Sequence, residues 1–187
     1  MLIFIKMKNP IQEKIQIPEG ISCSYINKIL TCTKDSTIME RKISLPGTEI
    51  KINNNEISLN CKKGNKRNYK TIKSNIAHIK NMFSGLQEKF VYKLESCNVH
   101  FPMTLKVEGT YLVISNFLGE KVPRHAKILP NVEVEIKGQK IEVSSYEKEA
   151  AGQTAANLEK STKIKSKDKR IYQDGIYIVE KPLRKTQ

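Results

Sequence analysis

Leu45-Pro-Gly-Thr-Glu-Ile-Lys-Ile-Asn-Asn-Asn-Glu-Ile-Ser-Leu59 and Leu129-Pro-Asn-Val-Glu-Val-Glu-Ile-Lys-Gly-Gln-Lys-Ile-Glu-Val143 are one pattern written twice, 84 positions apart and without a gap. Leu45, Pro46, Glu49, Ile52 and Ile57 fall on Leu129, Pro130, Glu133, Ile136 and Ile141, all identical. A period of that length is too long for a solenoid unit and suits a whole small domain. The chain therefore reads as a tandem duplication: an α+β fold in which each copy is a small antiparallel sheet backed by one helix, with a basic C-terminal extension. The expected boundaries are 10–86 and 87–181, with tails at 1–9 and 182–187.

Working outward from the first copy, Ile21–Tyr25 and Ile29–Thr33 flank Asn27 and alternate as two strands of a hairpin. Thr37–Leu45 follows the Lys34-Asp-Ser36 turn. Glu49–Ile52 and Glu56–Leu59 bracket Asn53-Asn-Asn55, a second hairpin signal. Ile72, Ile76, Ile79 and Phe83 recur at helical spacing, with Gly85 as the expected stop. The second copy repeats the order: Leu105–Glu108, Tyr111–Ser115, Lys121–Leu129, Val132–Ile136 and Lys140–Ser144, then a small, Ala-rich helix marked by Tyr146, Ala150, Thr154 and Leu158. The strand Phe90–Ser96 is expected to link the halves. After Ser161 a Lys-rich stretch and Arg170–Ile178 have no counterpart in the first copy.

The 187 residues carry 33 Lys and Arg against 19 Asp and Glu, a net +14. Such an excess calls for a polyanionic partner. The membrane is disfavoured, because the only apolar end segment, Met1–Ile5, is far too short to span one. A loose or edge-strand N-terminus is expected there, with Met7 as an alternative start. Cys23, Cys32, Cys61 and Cys97 form no Cys-x-x-Cys pair, so a zinc or redox motif is not indicated and reduced thiols are expected. No nucleophile–base pair, Gly-rich phosphate loop or metal-ligand set is recognisable. No catalytic residue, metal, cofactor or small-molecule substrate is therefore expected. The alternative of an RNA-processing or RNA-modifying enzyme component stays open, since catalytic groups converge from distant positions. A chaperone-like interaction module has no positive feature in its favour.

The charge is uneven. Residues 10–86 hold 13 basic and 6 acidic side chains, residues 87–159 hold 9 and 10, and residues 160–187 hold 9 and 3. One cluster is Lys62, Lys63, Lys66, Arg67, Lys70 and Lys73, leading into the first helix, where cations oppose the helix dipole unless an external anion compensates. The other is Lys160, Lys163, Lys165, Lys167, Lys169 and Arg170. Lys163, Lys165 and Lys167 alternate with Ile164 and Ser166, a spacing suited to tracking phosphates in extended conformation. Either run taken alone reads most simply as a solvated loop; two runs in a chain this basic tip the balance to nucleic acid. Aromatic residues are few and no stacking platform is patterned, which favours structured RNA over single strands.

Several stretches carry a family resemblance: Ala77–Phe83, His100-Phe-Pro102, Asn116-Phe-Leu-Gly-Glu-Lys121, Gln153-Thr-Ala-Ala-Asn157 and, most specific, Arg170-Ile-Tyr-Gln-Asp-Gly-Ile-Tyr-Ile178. From about Ile11 to Lys181 the chain resembles the L-six family of large-subunit ribosomal proteins, in its archaeal and eukaryotic branch. Ile164, Lys167, Arg170, Tyr172, Asp174, Gly175, Ile176, Tyr177, Ile178 and Lys181 supply the family's C-terminal pattern. Lys160 stands where Gln is preferred and Tyr172 where Phe is usual. The Lys-Gly-Lys-Gly ending of the bacterial branch is absent.

The resemblance implies two α+β domains, binding to large-subunit rRNA mainly through the second, a place near the factor-binding region and stalk base, neighbouring ribosomal proteins as partners, and the cytoplasmic ribosome as location. Lys163, Lys165, Lys167, Lys169 and Arg170 are the leading expected rRNA contacts, with Lys160 beside them. Lys121, Arg124 and His125 follow the Asn-Phe-Leu-Gly turn, where a Gly permits close approach of backbone to RNA; an ordinary strand edge is the even alternative. Gln153 and Asn157, four apart on a helix, either bond RNA or cap neighbouring loops, and the family match favours RNA. The first-copy cluster is a secondary candidate. Asp174-Gly175 reads as a turn, His78 as a packed or surface histidine, and His100 as a domain-junction residue.

Overall fold

A computed structural model describes residues 10–182 apart from 44, 46, 54, 63 and 169. The chain divides between Gln87 and Glu88 into two compact units. The first holds β1 (Ile11–Gln16), β2 (Ser22–Ile26), β3 (Ile29–Lys34), β4 (Thr37–Lys42), β5 (Thr48–Asn53), β6 (Glu56–Cys61) and α1 (Lys66–Gln87). The second holds β7 (Phe90–Cys97), β8 (Thr104–Glu108), β9 (Tyr111–Ser115), β10 (Arg124–Lys127), β11 (Glu133–Lys137), β12 (Lys140–Ser145), α2 (Lys148–Ser161) and β13 (Gly175–Glu180).

Among the described residues each unit contains two small antiparallel sheets rather than the single one expected. In the first they are β1-β6-β5 and β2-β3-β4; in the second, β11-β12-β7-β13 and β10-β9-β8. The division falls at the repeated Leu-Pro. In the second copy Pro130 donates no ladder hydrogen bond, and Gly47 in the first copy and Asn131 in the second lie in the left-handed region at φ 70° and 59°. Glycine and asparagine are the residues that tolerate that turn. The chain thus leaves one sheet and starts the other at equivalent positions.

The repeat is a repeat of burial. Ile52 pairs with Ile57 and Ile136 with Ile141 in the same register. Ile57, Leu59, Ile141 and Val143 are all fully buried, because period-2 alternation sends every second side chain of β6 and β12 inward. The first core gathers these with Ile15, Leu30, Ile72, Ile79 and Phe83; the second gathers Leu94, Leu112, Ile114, Phe117, Leu158 and Ile176.

Three expectations need correction. Phe90–Cys97 is the expected strand, but it belongs wholly to the second unit as interior strand β7, hydrogen-bonded to β12 on one side and β13 on the other. Gly85 does not stop α1, which runs on to Gln87 because Gly85 and Leu86 are both buried. Tyr146 precedes α2 and is exposed, so the inward stripe is Ala150, Ala151, Thr154, Ala155 and Leu158. At the other end of α1, Asn65 accepts the Asn68 backbone N–H at 2.8 Å and caps the helix.

The Ala-rich face of α2 permits a close approach to β7. A Cβ placed on Gly152 would meet the Tyr92 hydroxyl at 2.8 Å and a ring carbon at 3.2 Å. Gly152→Val is therefore expected to destabilise the second unit by about 2 kcal/mol or more through overpacking, read as a lower urea midpoint. Gly152→Ala should be milder, since roughly 1 kcal/mol of helix propensity offsets the clash. A Val variant as stable as the parent would contradict the close packing.

Candidate nucleic-acid interface

The C-terminal basic stretch leaves α2 through Thr162, which is buried. Its hydroxyl donates to the Glu159 carbonyl at 3.2 Å and accepts the Ile176 N–H at 2.9 Å, tying the end of α2 to β13. Ile164 points into the second core. Lys163, Lys165 and Lys167 are exposed. The extended run ends at Ser166, whose φ is 58°, and beyond that turn the Lys167 ammonium sits 4.4 Å from the centre of the Tyr172 ring. A cation held over an aromatic face keeps its charge and loses little of its hydration at an exposed site.

Tyr172 stacks its other partner, His100, at 4.8 Å and 22° between planes. Asp174 fixes that stack from below. Its carboxylate is buried and accepts the Val99 N–H at 2.8 Å, the His100 N–H at 2.9 Å and the His100 Nδ1 at 2.6 Å. Burial pushes the Asp174 carboxyl up, but its hydrogen bonds from His100 and Val99 outweigh this and hold it below the usual carboxylate range. So Asp174 does more than form a turn, and His100 is packed within the second unit. The segment from 162 to 174 is anchored at both ends, with Lys163, Lys165 and Lys167 on the outside.

Arg170 is exposed and paired with Asp168, Nη2 to Oδ2 at 2.7 Å and Nε to Oδ1 at 3.1 Å. The Arg170 side chain and its backbone N–H hold the Asp168 carboxyl below its ordinary range. An exposed ion pair of this kind is weak, so Arg170 can exchange Asp168 for a phosphate. Lys160 closes the last turn of α2, where its charge favours the helix dipole. Lys169 and Lys63 lie outside the described residues, as do 1–9 and 183–187.

Arg124 is partly exposed but engaged by its own fold. Its Nε and Nη2 bond the two Glu120 carboxylate oxygens at 2.8 and 2.6 Å, its Nη1 donates to the Ser161 carbonyl at 2.9 Å, and its guanidinium lies 4.3 Å from the centre of the Phe117 ring. It thereby satisfies an orphan carbonyl at the end of α2. The bonded Arg124 holds the Glu120 carboxyl below the usual range against partial burial, and the charge of Lys167 adds to the effect. Lys121 and His125 stay exposed, His125 edge-on to Tyr111 at 6.3 Å. A Cβ at Gly119 would meet the Phe101 ring at 3.7 Å, so that side of the turn faces protein.

Gln153 donates to Asn157 Oδ1 at 2.9 Å, and Asn157 donates to the Lys127 carbonyl at 3.0 Å. This is the loop-capping alternative, with Gln153 exposed beside it. In the first unit, Lys62 pairs with Glu49 at 3.2 Å and Lys73 with Glu13 at 2.8 Å; these acids come from β5 and β1, far away in sequence. Lys66, Arg67 and Lys70 make no ion pair among the described residues, and the first turn of α1 holds no acid. Among the described residues, no helix is long and apolar enough to cross a membrane and no group of three or more side chains could hold a metal ion.

Sequence reasoning missed the acids that organise this surface. Glu120 stands four residues before Arg124, and Asp168 two before Arg170; both spacings were readable signals of local pairing. The His100–Asp174 contact spans 74 positions and had no local signal.

Residues 101–175, which include every second-unit candidate from Lys121 to Arg170, match the family profile described as ribosomal protein L6. The chain is also similar along nearly its whole length to three archaeal proteins named large ribosomal subunit protein uL6. That of Methanosarcina mazei is 43% identical over 94% of this chain and 99% of the relative. That of Methanococcus vannielii is 40% identical over 91% and 94%, and that of Methanobrevibacter smithii 39% over 91% and 96%. This chain belongs to the L6 family of large-subunit ribosomal proteins. Membership places it among ribosomal proteins rather than among enzymes.

Proposed function

We propose that the protein is a structural constituent of the large ribosomal subunit that binds large-subunit rRNA mainly through the C-terminal part of its second domain, taken as residues 87–181, with 10–86 as the first. The observation that carries this reading is the anchored segment from Thr162 to Asp174, which presents Lys163, Lys165 and Lys167 to solvent. A fixed array of cations neutralises a phosphate backbone with less ordering than a free tail would need. Lys160, Arg170, Lys121, His125 and Gln153 extend the same contact surface. In the first unit, Lys66, Arg67 and Lys70 at the positive end of α1 form a secondary one. Arg124 and Asn157 act by shaping this surface from within.

The family resemblance supports a contact near the factor-binding region and the stalk base, beside neighbouring ribosomal proteins, in cytoplasmic ribosomes. Sedimentation of a cell extract through a sucrose gradient tests the reading. The protein is expected in the large-subunit peak, with ultraviolet-induced nucleotide adducts on peptides from the 160–174 region. Free protein at the top of the gradient would refute it, and adducts confined to residues 62–73 would move the interface to the first unit.

A further inference from the structure

Cys23 and Cys32 face each other across the first hairpin, and we infer that they form an oxidisable dithiol, a site where a hydroperoxide converts two thiols into a cross-strand disulfide between β2 and β3. The register carries the argument. Ile26 pairs with Ile29 around the two-residue Asn27-Lys28 turn, whose φ values are both positive. Ladder hydrogen bonds alternate from that closing pair. Ile26/Ile29 and Ser24/Thr31 are then the hydrogen-bonded pairs, and Tyr25/Leu30 and Cys23/Cys32 the non-hydrogen-bonded ones. In the latter the α-carbons approach to about 4.5 Å, inside the separation a disulfide accepts.

The two sulfurs are 3.2 Å apart, and all four cysteines of the chain are free thiols. Cys61 is buried beside the Asn68 amide, and Cys97 lies in the other unit. Access is one-sided. Cys32 is completely buried, whereas Cys23 is half-buried and lines an open groove of about 550 Å³ with Ile17, Tyr25, Ile50, Ile52 and Asn53. The hydrogen bond from Cys32 pulls the Cys23 thiol down against its partial burial, while the Cys32 thiol is pushed up. The thiolate is the nucleophile, so the half-buried member that lines the groove is also the reactive one.

The chemistry balances within the pair and one molecule of hydrogen peroxide, the simplest hydroperoxide. The Cys23 thiolate attacks the nearer peroxide oxygen; an S–O bond forms, the O–O bond breaks, and the departing hydroxide takes up a proton as water. The Cys32 sulfur then attacks the Cys23 sulfenic acid. An S–S bond forms, the S–O bond breaks, and the leaving hydroxide takes the Cys32 proton as a second water. Two thiols have lost two electrons and two protons, and the peroxide has become two waters. Cys32 needs no access to solvent for its step, because its electrophile is its neighbour.

Peptide mapping of the full chain tests this. Trypsin cuts after Lys14, Lys28 and Lys34, which puts Cys23 in peptide 15–28 and Cys32 in 29–34. After treatment with hydrogen peroxide and alkylation under denaturing conditions, these peptides are expected to run as one species, two hydrogens lighter than their sum and split by dithiothreitol. Recovery of the two peptides separately alkylated would overturn the inference, as would Cys23 ending as sulfinic acid or either cysteine linked to Cys61 or Cys97. Cys23→Ser keeps the core residue Cys32 in place; in that variant Cys32 should resist peroxide and alkylate fully after denaturation. Loss of the Cys32 thiol at the parent's rate in Cys23→Ser would equally overturn it.

Discussion

Asp174→Ala is expected to destabilise the second unit by about 3 kcal/mol, because it leaves two inward backbone N–H groups and the His100 ring without their acceptor. Those groups come from Val99 and His100, 74 residues or more upstream. The effect should therefore be visible as faster amide exchange at Val99 and His100, as well as in a lower urea midpoint. Asp174→Asn is the sharper control: it keeps the shape and one acceptor oxygen while removing the charge, and should fall between parent and Ala. The pH dependence has a definite sign. The folded-state carboxyl of Asp174 lies below its ordinary value of 3.8, so the unfolded chain takes up the proton first. Asp174 thus contributes stability that is fully present above that value and is lost as pH falls through and below it. Asp174→Asn should flatten the acid limb of the stability profile. An Ala variant with unchanged exchange at Val99 and His100 would show that the carboxylate does not hold the segment.

The duplication was legible because its signal is the burial pattern itself. Ile57 and Ile141 match in sequence, in register and in depth, since the same alternation buries both. Turn residues were legible for a related reason: Asn27 and Asp35 occupy left-handed conformations that few residue types accept. What stayed hidden depends on pairings distant in sequence. Nothing within Phe90–Cys97 announces that β13, some 80 positions later, will complete its sheet. Likewise, the acid-free run from 57 to 87 looked unpaired until β5 and β1 brought Glu49 and Glu13 beside Lys62 and Lys73. Gly85 misled because glycine ends a helix only where it turns left-handed, and here it is buried within the last turn. The Cys23–Cys32 pairing was readable in principle, both residues standing equally far from the Asn27-Lys28 turn.

The candidate interface was half legible. Composition located the charge, but its geometry rests on neutral anchors. Thr162, Ile164, Tyr172 and Asp174 fix the segment, and only then do its lysines become an array. Arg124 shows the converse: a basic residue beside the same surface whose three nitrogens are all engaged within the protein.

The second large effect concerns that array. Lys163, Lys165 and Lys167 are exposed, so changing all three to Gln leaves Thr162 and Ile164 in place and should not lower the thermal midpoint appreciably. Each phosphate contact contributes between about 0.7 and 0.9 to the slope of log affinity against log salt. The triple variant should therefore bind a large-subunit rRNA fragment with a slope flatter by about 2 to 3. Its affinity at low salt should fall by roughly two orders of magnitude or more, while at high salt it should approach that of the parent.

Salt-dependent binding of the parent and this triple variant to the same folded rRNA fragment is the decisive comparison. The account predicts a steep line for the parent and a clearly shallower one for the variant, with both proteins equally folded. Two parallel lines would contradict it, because the three lysines would then be facing water rather than phosphate.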